Sequence, residues 1–535
     1  MNRLAPSPQA VVPVDGRCAQ GLLLIAGVLL AALTEAIASS VLALGRNDIL
    51  GDIYATPDEF AWLDVGYTSC KLIGFMAASW WLTRFQPRQV IVAATLVMGL
   101  ACGITTFTAN LELLIVLRVL QGLAGGTLLV GGQMLIFLVY PRNQQPMLQA
   151  VFAMGAVVAP AALAPALQGW LIDSQSWTWI FFGVVPLALA AIGCLLMAAV
   201  PDLAMPATRP SDVVGMVLAF TSLCCLAYVL GQGNRWDWFE APHIVAGTAL
   251  GIAAVLCFVG HQLLTSRQAV LDFTLFGSRD FTFAFIVSFV AGAALFGSAY
   301  LIPAFALSVL AFTPTDAGLL LLPSGALFIA ALLLAACLMQ YRGVAPFATV
   351  PLGIVLIMIA MWMLSGSTSE SGMHDMMGGV LLRGLGLGLL FLSITLIAFG
   401  NLQPGNLASG IGLFNVGRQL GGLMGVAGLQ TLIDHQLVAN AAVLGAHVTG
   451  GTTAVIERLG GTTAMLGARG MDTLVAGRAS VALLGRAVSG QSAVIAFDVA
   501  FFAVVLLFAV AAPLLVGIKL LLARYPSKRY APTTG

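Results

Sequence analysis

Residues 112–139 read ELLIVLRVLQGLAGGTLLVGGQMLIFLV, with one acid at the entrance, one arginine inside and no proline. A membrane-crossing helix needs ~20 predominantly apolar residues, and this stretch is longer than that. Its interior charge, Arg118, costs ~2.5–3.5 kcal/mol at the centre of a bilayer on insertion scales. Such a residue has to face protein or water, paired or solvated. Gly122, Gly125 and Gly126 follow it, and small residues let a second helix approach closely.

The rest of the chain repeats this pattern. Of 535 residues, 60% are hydrophobic and 8% charged, where soluble globular chains carry ~25% charged residues. A soluble enzyme and a disordered protein are excluded, and a net charge of +1 offers no surface for nucleic acid. Apolar runs fall near 20–44, 61–83, 89–108, 112–139, 148–171, 178–200, 213–231, 243–264, 281–308, 315–339, 345–365, 377–400, 408–433 and 494–518. The expectation is an all-α polytopic membrane protein with fourteen transmembrane helices. The first run is too long for the apolar core of a signal peptide. Seven of the eight cysteines lie inside apolar runs and Cys18 just before the first, so no disulfide framework is expected.

Arg3, Arg17, Arg84, Arg88, Arg142, Arg209, Arg267, Arg279, Arg342, Arg524, Lys528 and Arg529 fall on one side of this topology, and only Arg46 and Arg235 in the short loops of the other. The positive-inside rule then places both termini in the cytoplasm. Residues 434–493 break the short-loop pattern as a long outer segment rich in Gly, Ala and Thr, with patches such as AVIERLGG (454–461) that read as weakly amphipathic helices. It reads either as a surface segment packed on the bundle or as a docking surface.

The chain also repeats itself. Thr56-Pro57-Asp58-Glu59 and Thr313-Pro314-Thr315-Asp316 open the second and tenth spans, each with Thr as N-cap, Pro at N1 and an acid near the positive end of the helix dipole. Leu117-Arg118-Val119-Leu120 is echoed by Leu382-Arg383-Gly384-Leu385. The two offsets, 257 and 265 residues, imply a six-span half used twice, with two spans inserted. The expected division is 1–200, 201–270 and 271–535. Two such halves with a site between them are what alternating access requires.

Seven charges lie within the spans: Glu35, Asp64, Lys71, Arg118, Arg383, Arg418 and Asp498. At a rise of ~1.5 Å per residue, Glu35 lies ~13 Å and Lys71 ~15 Å below the outer edge. Asp64 precedes Lys71 by two turns on about the same face. Glu35 and Lys71 read either as a structural pair or, with Asp64, as carboxylates whose protonation alternates with substrate binding. Asp498 reads equally as an embedded acid or as one at a membrane edge. There is no GxxxxGK[ST], HExxH or GxSxG motif, and the five histidines have no ligand spacing. No enzyme, cofactor or metal site is expected.

With these residues placed, the sequence resembles the fourteen-span drug–proton antiporters of the major facilitator superfamily, EmrB/QacA type, from about residue 25 to 520. The likeness rests on Leu114, Arg118, Gln121, Gly122 and Gly126 in span four, on Trp177-Thr178-Trp179-Ile180-Phe181-Phe182 with Pro186, and on Ala408-Ser409-Gly410 followed by Asn415-Val416-Gly417-Arg418-Gln419-Leu420-Gly421-Gly422. Asp272-Phe273-Thr274-Leu275-Phe276, and Asp316-Ala317-Gly318 with Pro323, fit as well. The loop after span two keeps Arg84 and Arg88 but has Thr83 at the acidic position, and the span-five motif keeps Pro160 and Pro165 but few of its glycines.

The resemblance implies the 6+2+6 fold and proton-coupled export of small amphipathic compounds from the cytoplasmic (inner) membrane. Glu35, Asp64, Lys71, Arg118 and Asp498 would relay charge. Gln121, Arg383, Asn415 and Arg418 would line the cavity or carry the conformational change, Arg84 and Arg88 would form a gating loop, and Pro160 and Pro165 would kink span five. Protonation of Glu35 and Asp64 from outside would release the substrate. A periplasmic membrane-fusion adaptor would dock on residues 434–493. Export of one defined metabolite, such as a siderophore or fatty acid, and a non-transporting scaffold or sensor are the alternatives.

Overall fold

The computed structural model describes residues 18–198, 212–264, 273–400 and 402–524, and helix is the only regular structure among them. In chain order the α-helices are α1 (Cys18–Leu44), α2 (Arg46–Asp52), α3 (Pro57–Trp81), α4 (Pro87–Thr105), α5 (Leu111–Val139), α6 (Gln145–Ala153), α7 (Ala164–Ser174), α8 (Thr178–Met197), α9 (Val213–Gln232), α10 (Pro242–Leu264), α11 (Arg279–Ser308), α12 (Pro314–Arg342), α13 (Thr349–Leu364), α14 (Met373–Phe399), α15 (Pro404–His447), α16 (Thr453–Ala468) and α17 (Thr473–Arg524). A π-helical segment, Met154–Leu163, joins α6 to α7 in one continuous rod. Arg3, Arg17, Arg209, Arg267, Lys528, Arg529 and Asp272, used in the sequence reading, lie outside the described residues.

Every predicted apolar run coincides with a long helix. Among the described residues, twelve helices are long and apolar enough to cross a membrane. The two long helices outside that set are α3 and α15. They carry Asp64 and Lys71, and Asn415 and Arg418, and they pack against each other. Their lower hydropathy therefore marks an internal polar seam rather than a loop. Large apolar side chains such as Leu100, Leu256 and Trp362 are exposed on the outside of the bundle, where lipid satisfies them.

Local chemistry sets the helix starts as anticipated. Thr56 caps α3: its hydroxyl accepts from the Glu59 N–H at 3.4 Å, and Glu59 Oε2 accepts from the Thr56 N–H at 2.8 Å. These bonds hold the Glu59 carboxyl below its ordinary value. Thr313 caps α12 in the same way, accepting from the Asp316 N–H at 3.1 Å.

The helices form two groups. In the first, α3 lies on α5, and α1 and α4 lie on α8; in the second, α11 lies on α15, and α12 and α13 lie on α14. Close approach needs glycine. A Cβ at Gly122 would strike the Tyr67 carbonyl oxygen and one at Gly126 the Lys71 carbonyl oxygen, locking α5 against α3. Gly384, directly after Arg383, meets the Ser324 carbonyl in the same manner. The groups meet where α6–α7 runs along α12 and where α3 and α5 meet α15.

The turns at 82–86, 140–144 and 343–348 mark one end of the bundle, here called basal; those at 53–56, 106–110, 309–313 and 365–372 mark the apical end. The basal side of the seam is closed by Phe137 of α5 against Phe399 of α14 (ring centroids 5.6 Å apart), and by Phe399 against Phe414 (4.9 Å). Apically the Thr315 N–H donates to Asp173 at 2.9 Å across the α7–α12 contact. The α9–α10 hairpin lies to one side, with α9 on α3 and α15. Arg235 pairs with Asp58 at 2.8 Å and Trp238 Nε1 donates to Thr431 at 3.0 Å, tying its apical turn to the bundle.

The segment 434–493 is not a loop. Helix α15 continues to His447, α16 occupies much of the remainder and α17 already begins at Thr473. Alanine is the best helix former, and the patch AVIERLGG at 454–461 lies within α16. Asp498 consequently lies well inside α17 rather than at its start.

Candidate functional site

The first span offers one carboxylate to the interior. Glu35 of α1 is 1% exposed and faces α5 where Gly125 leaves room: a Cβ there would approach the Glu35 Cγ to 2.8 Å. Glu35 Oε1 lies 2.5 Å from Lys71 Nζ and accepts from the Tyr67 hydroxyl at 3.0 Å. Tyr67 and Lys71 are one helical turn apart on α3, which brings both to the same oxygen. Glu35 and Lys71, inferred to share a depth, are in direct contact.

Arg118 closes the other face of Tyr67. Its Cζ lies 4.1 Å from the centroid of the ring, a cation–π stack. Nη1 donates to the Ala38 carbonyl at 2.8 Å and to Gln121 Oε1 at 3.1 Å, and Nε donates to the Leu63 carbonyl at 3.4 Å. Gln121 Nε2 in turn donates to Thr105 of α4 at 3.2 Å. This one arginine touches three helices and is 2% exposed. Asp64 stands two turns toward the apical end of α3 from Lys71 and is exposed.

The second group repeats the arginine and changes its surroundings. Arg383 of α14 is 1% exposed. Its Nε donates to Ser298 Oγ at 2.7 Å and its Nη1 to Ser324 Oγ at 3.4 Å. Among the described residues no carboxylate lies beside it and Nη2 finds no acceptor. Arg418 of α15 donates to Asn415 Oδ1 at 2.7 Å, with its Cζ 5.0 Å from the Phe391 ring centroid. Asn415 Nδ2 reaches Gln133 of α5 at 3.4 Å, and Gln133 Nε2 donates to Gln149 of α6 at 3.1 Å. A polar chain thus runs across the seam from one helix group to the other.

Glu35, Lys71, Arg418 and Pro160 line a cavity of about 60 Å³ at this seam, walled elsewhere by Leu295 and Phe296. That holds a few waters, whereas drug-sized ligands occupy pockets of about 300–1,000 Å³. The site is therefore closed as it stands, and a ligand enters only if the groups part. Two larger grooves, of about 300 and 360 Å³, lie along α4 against α8 and against α5. Their linings include the exposed Leu100, Phe107 and Phe85, so they open on the outside of the bundle, away from the seam.

The remaining predicted residues lie elsewhere. Asp498 of α17 is half-buried and is not among the cavity residues. Arg84 stacks on Trp80, its Cζ 4.2 Å from the ring centroid. Arg88 lies in the first turn of α4 and donates to the carbonyls of Leu196 (2.8 Å) and Ala198 (3.3 Å) at the end of α8. Pro160 sits inside the π-helical segment, where a residue without an N–H suits the altered ladder. Pro165 opens α7, and its carbonyl packs against Gly318 of α12. Sequence reasoning passed over Tyr67, Gln133, Gln149, Ser298 and Ser324. Their signal was polarity inside apolar runs, which charge alone does not register.

The family model described as Major Facilitator Superfamily matches residues 24–426. The multidrug resistance protein B homolog of Mycobacterium tuberculosis is 27% identical over 428 residues, covering 78% of this chain and 77% of that protein. The multidrug export protein EmrB of Haemophilus influenzae is 28% identical over 411 residues, covering 76% of this chain and 79% of that protein. Among solved structures, a bacterial homolog of the human lysosomal transporter Spinster, inward-facing and unoccupied, superposes with a TM-score of 0.57 at 12% identity, over 96% of this chain and 99% of that one. At that identity the likeness concerns the fold.

Proposed function

The chain belongs to the Major Facilitator Superfamily, and from that premise we propose that it is a proton-coupled secondary transporter exporting amphipathic and hydrophobic compounds by alternating access. The observation that carries the reading is the Glu35–Lys71 pair, buried in a closed cavity between two helix groups. Removing one member of a buried pair strands the other, so a proton delivered to Glu35 leaves the Lys71 ammonium without its counter-charge and loosens the seam around it. Asp64 is the second carboxylate of the path, and Arg118 holds the Tyr67 ring and the Ala38 and Leu63 carbonyls of α1 and α3 in register. The relatives' names, multidrug export and multidrug resistance, support the substrate class.

In this reading residues 1–200 and 271–535 are the rocking halves and 201–270 an accessory pair. The protein lies in the cytoplasmic membrane with its basal end and both termini in the cytoplasm. The apical extension of α15, with α16 and the start of α17, offers the surface for a periplasmic adaptor. The test is efflux of amphipathic dyes driven by a proton gradient, in wild type, Glu35→Gln and Asp64→Asn. We expect loss of gradient-driven efflux in Glu35→Gln and a lesser defect in Asp64→Asn. Undiminished transport in both variants refutes the assignment.

A further inference from the structure

The charges at the seam do not balance. Among the described residues the cavity at the seam brings two cations, Lys71 and Arg418, against one acid, Glu35. Within the cavity itself the charged lining residues are Glu35, Lys71 and Arg418. Glu35 Oε1 carries both the Lys71 ammonium at 2.5 Å and the Tyr67 hydroxyl at 3.0 Å. That carboxylate is already neutralised, and the charge left over is the Arg418 guanidinium.

Arg418 is poorly compensated for its place. A guanidinium has five N–H donors, and among the described residues Asn415 is its one hydrogen-bond acceptor. Beyond the Glu35–Lys71 pair, the cavity around it is walled by Leu129, Val157, Leu295 and Phe296, with Ser39 and Gln419 as the neutral polar members. The cavity shares Leu295 and Arg418 with a second, smaller void of about 10 Å³ lined by Phe328, Leu387 and Phe391. A cation without a carboxylate of its own, at the junction of two largely apolar recesses, matches a ligand with an acidic head and a hydrocarbon body. Arg383, buried with two hydroxyls and no carboxylate, adds positive potential to the same helix group, weakly screened in a low-dielectric surround.

We propose that the preferred substrates are amphipathic organic acids, with Arg418 taking the anionic headgroup and the apolar residues around it taking the tail. Amphipathic cations are disfavoured because their head would have to displace Lys71 from Glu35 beside the Arg418 guanidinium. Specificity of this kind comes as much from repelling the wrong charge as from binding the right one. The proposal rests on the transport reading for its biological sense, but the binding preference is measurable without transport.

The experiment compares three probes with equal tails, dodecanoate, dodecyltrimethylammonium and dodecanol, binding to the full chain in lipid nanodiscs. Empty nanodiscs serve as the blank, at a pH where the carboxyl is ionised. Wild type should bind dodecanoate about tenfold more tightly than the ammonium probe, the scale of one charge-assisted contact. Arg418→Gln should erase that preference while leaving dodecanol binding in place, and Arg418→Lys should keep most of it. Equal binding of the charged probes, a preference for the ammonium, binding of no probe, or a carboxylate preference that survives Arg418→Gln each overturns the proposal. The wild-type comparison decides it even if a variant fails to fold. A preserved preference in a chain that moves none of the probes in vesicles would leave the site standing and remove the export reading instead.

Discussion

A single oxygen, Glu35 Oε1, holds the ammonium of Lys71 and the hydroxyl of Tyr67, and this shared atom makes the site sensitive to charge. Lys71→Met leaves a carboxylate buried at 1% exposure with only a neutral donor. Breaking a buried pair from one side costs about 3–5 kcal/mol, so this variant should lose thermal stability in detergent. The double change Glu35→Gln with Lys71→Met removes both charges and should recover most of the loss; no recovery would mean the two do not act as a pair. Arg118 tests geometry rather than charge. Its fork spans the carbonyls of Ala38 and Leu63 while its plane lies on Tyr67, and a lysine cannot do all three. Efflux in Arg118→Lys should therefore fall nearly as far as in Arg118→Ala, whereas rescue by lysine would show that charge alone suffices.

Between residues and molecule stand the helix contacts, which depend on small side chains and caps. Gly126 of α5 faces the Lys71 carbonyl, a backbone atom that cannot turn aside. Gly126→Ala should cost about 1–3 kcal/mol, read as a lowered melting temperature, and should disturb the Glu35–Lys71 pair through α3. The α9–α10 hairpin has a polar latch at its basal end: Asp212 accepts from the Gly215 N–H at 2.8 Å, from Gln262 at 2.8 Å and pairs with His261 at 2.7 Å. Burial works to raise the Asp212 carboxyl, but these bonds outweigh it and hold it below its ordinary value. A carboxyl so lowered stabilises the fold above its unfolded value of ~3.9 and loses that contribution as pH falls through the folded value. Asp212→Ala should thus cost about 1 kcal/mol near neutrality, with the difference from wild type vanishing on strong acidification. Capping signals of this kind were legible: Thr56 and Thr313 begin α3 and α12 where their Thr-Pro-x-acid patterns placed them. The stretch 434–493 was half legible: the amphipathic patch at 454–461 lies in α16, whereas the continuation of α15 and the early start of α17 were hidden by a composition mixing glycine with alanine.

At the scale of the whole molecule, hydropathy located the helices well, since each needs its own apolar run, but the seam was only half visible. The charged members, Glu35, Lys71, Arg118 and Arg418, stood out against lipid-like surroundings. Gln133, Gln149 and Tyr67 did not, because a neutral polar residue is cheap enough in a bundle to lack an obvious role until its partners are known. For Gln133 one partner, Asn415, lies across the two helix groups, and this separation leads to the last prediction. The basal end is shut where Phe137 meets Phe399 and Phe399 meets Phe414, while the central cavity of about 60 Å³ admits no drug-sized molecule. Transport by rocking requires these aromatic contacts to separate in every cycle. Phe137→Cys with Phe399→Cys, in a chain whose native cysteines are replaced, should be joined by a short reducible bifunctional thiol reagent. The joined protein should stop exporting, and cleavage of the linker should restore export to its level before treatment. Full export by the joined chain would mean that α5 and α14 stay together throughout, and the seam would then be a static packing interface rather than the path of the substrate.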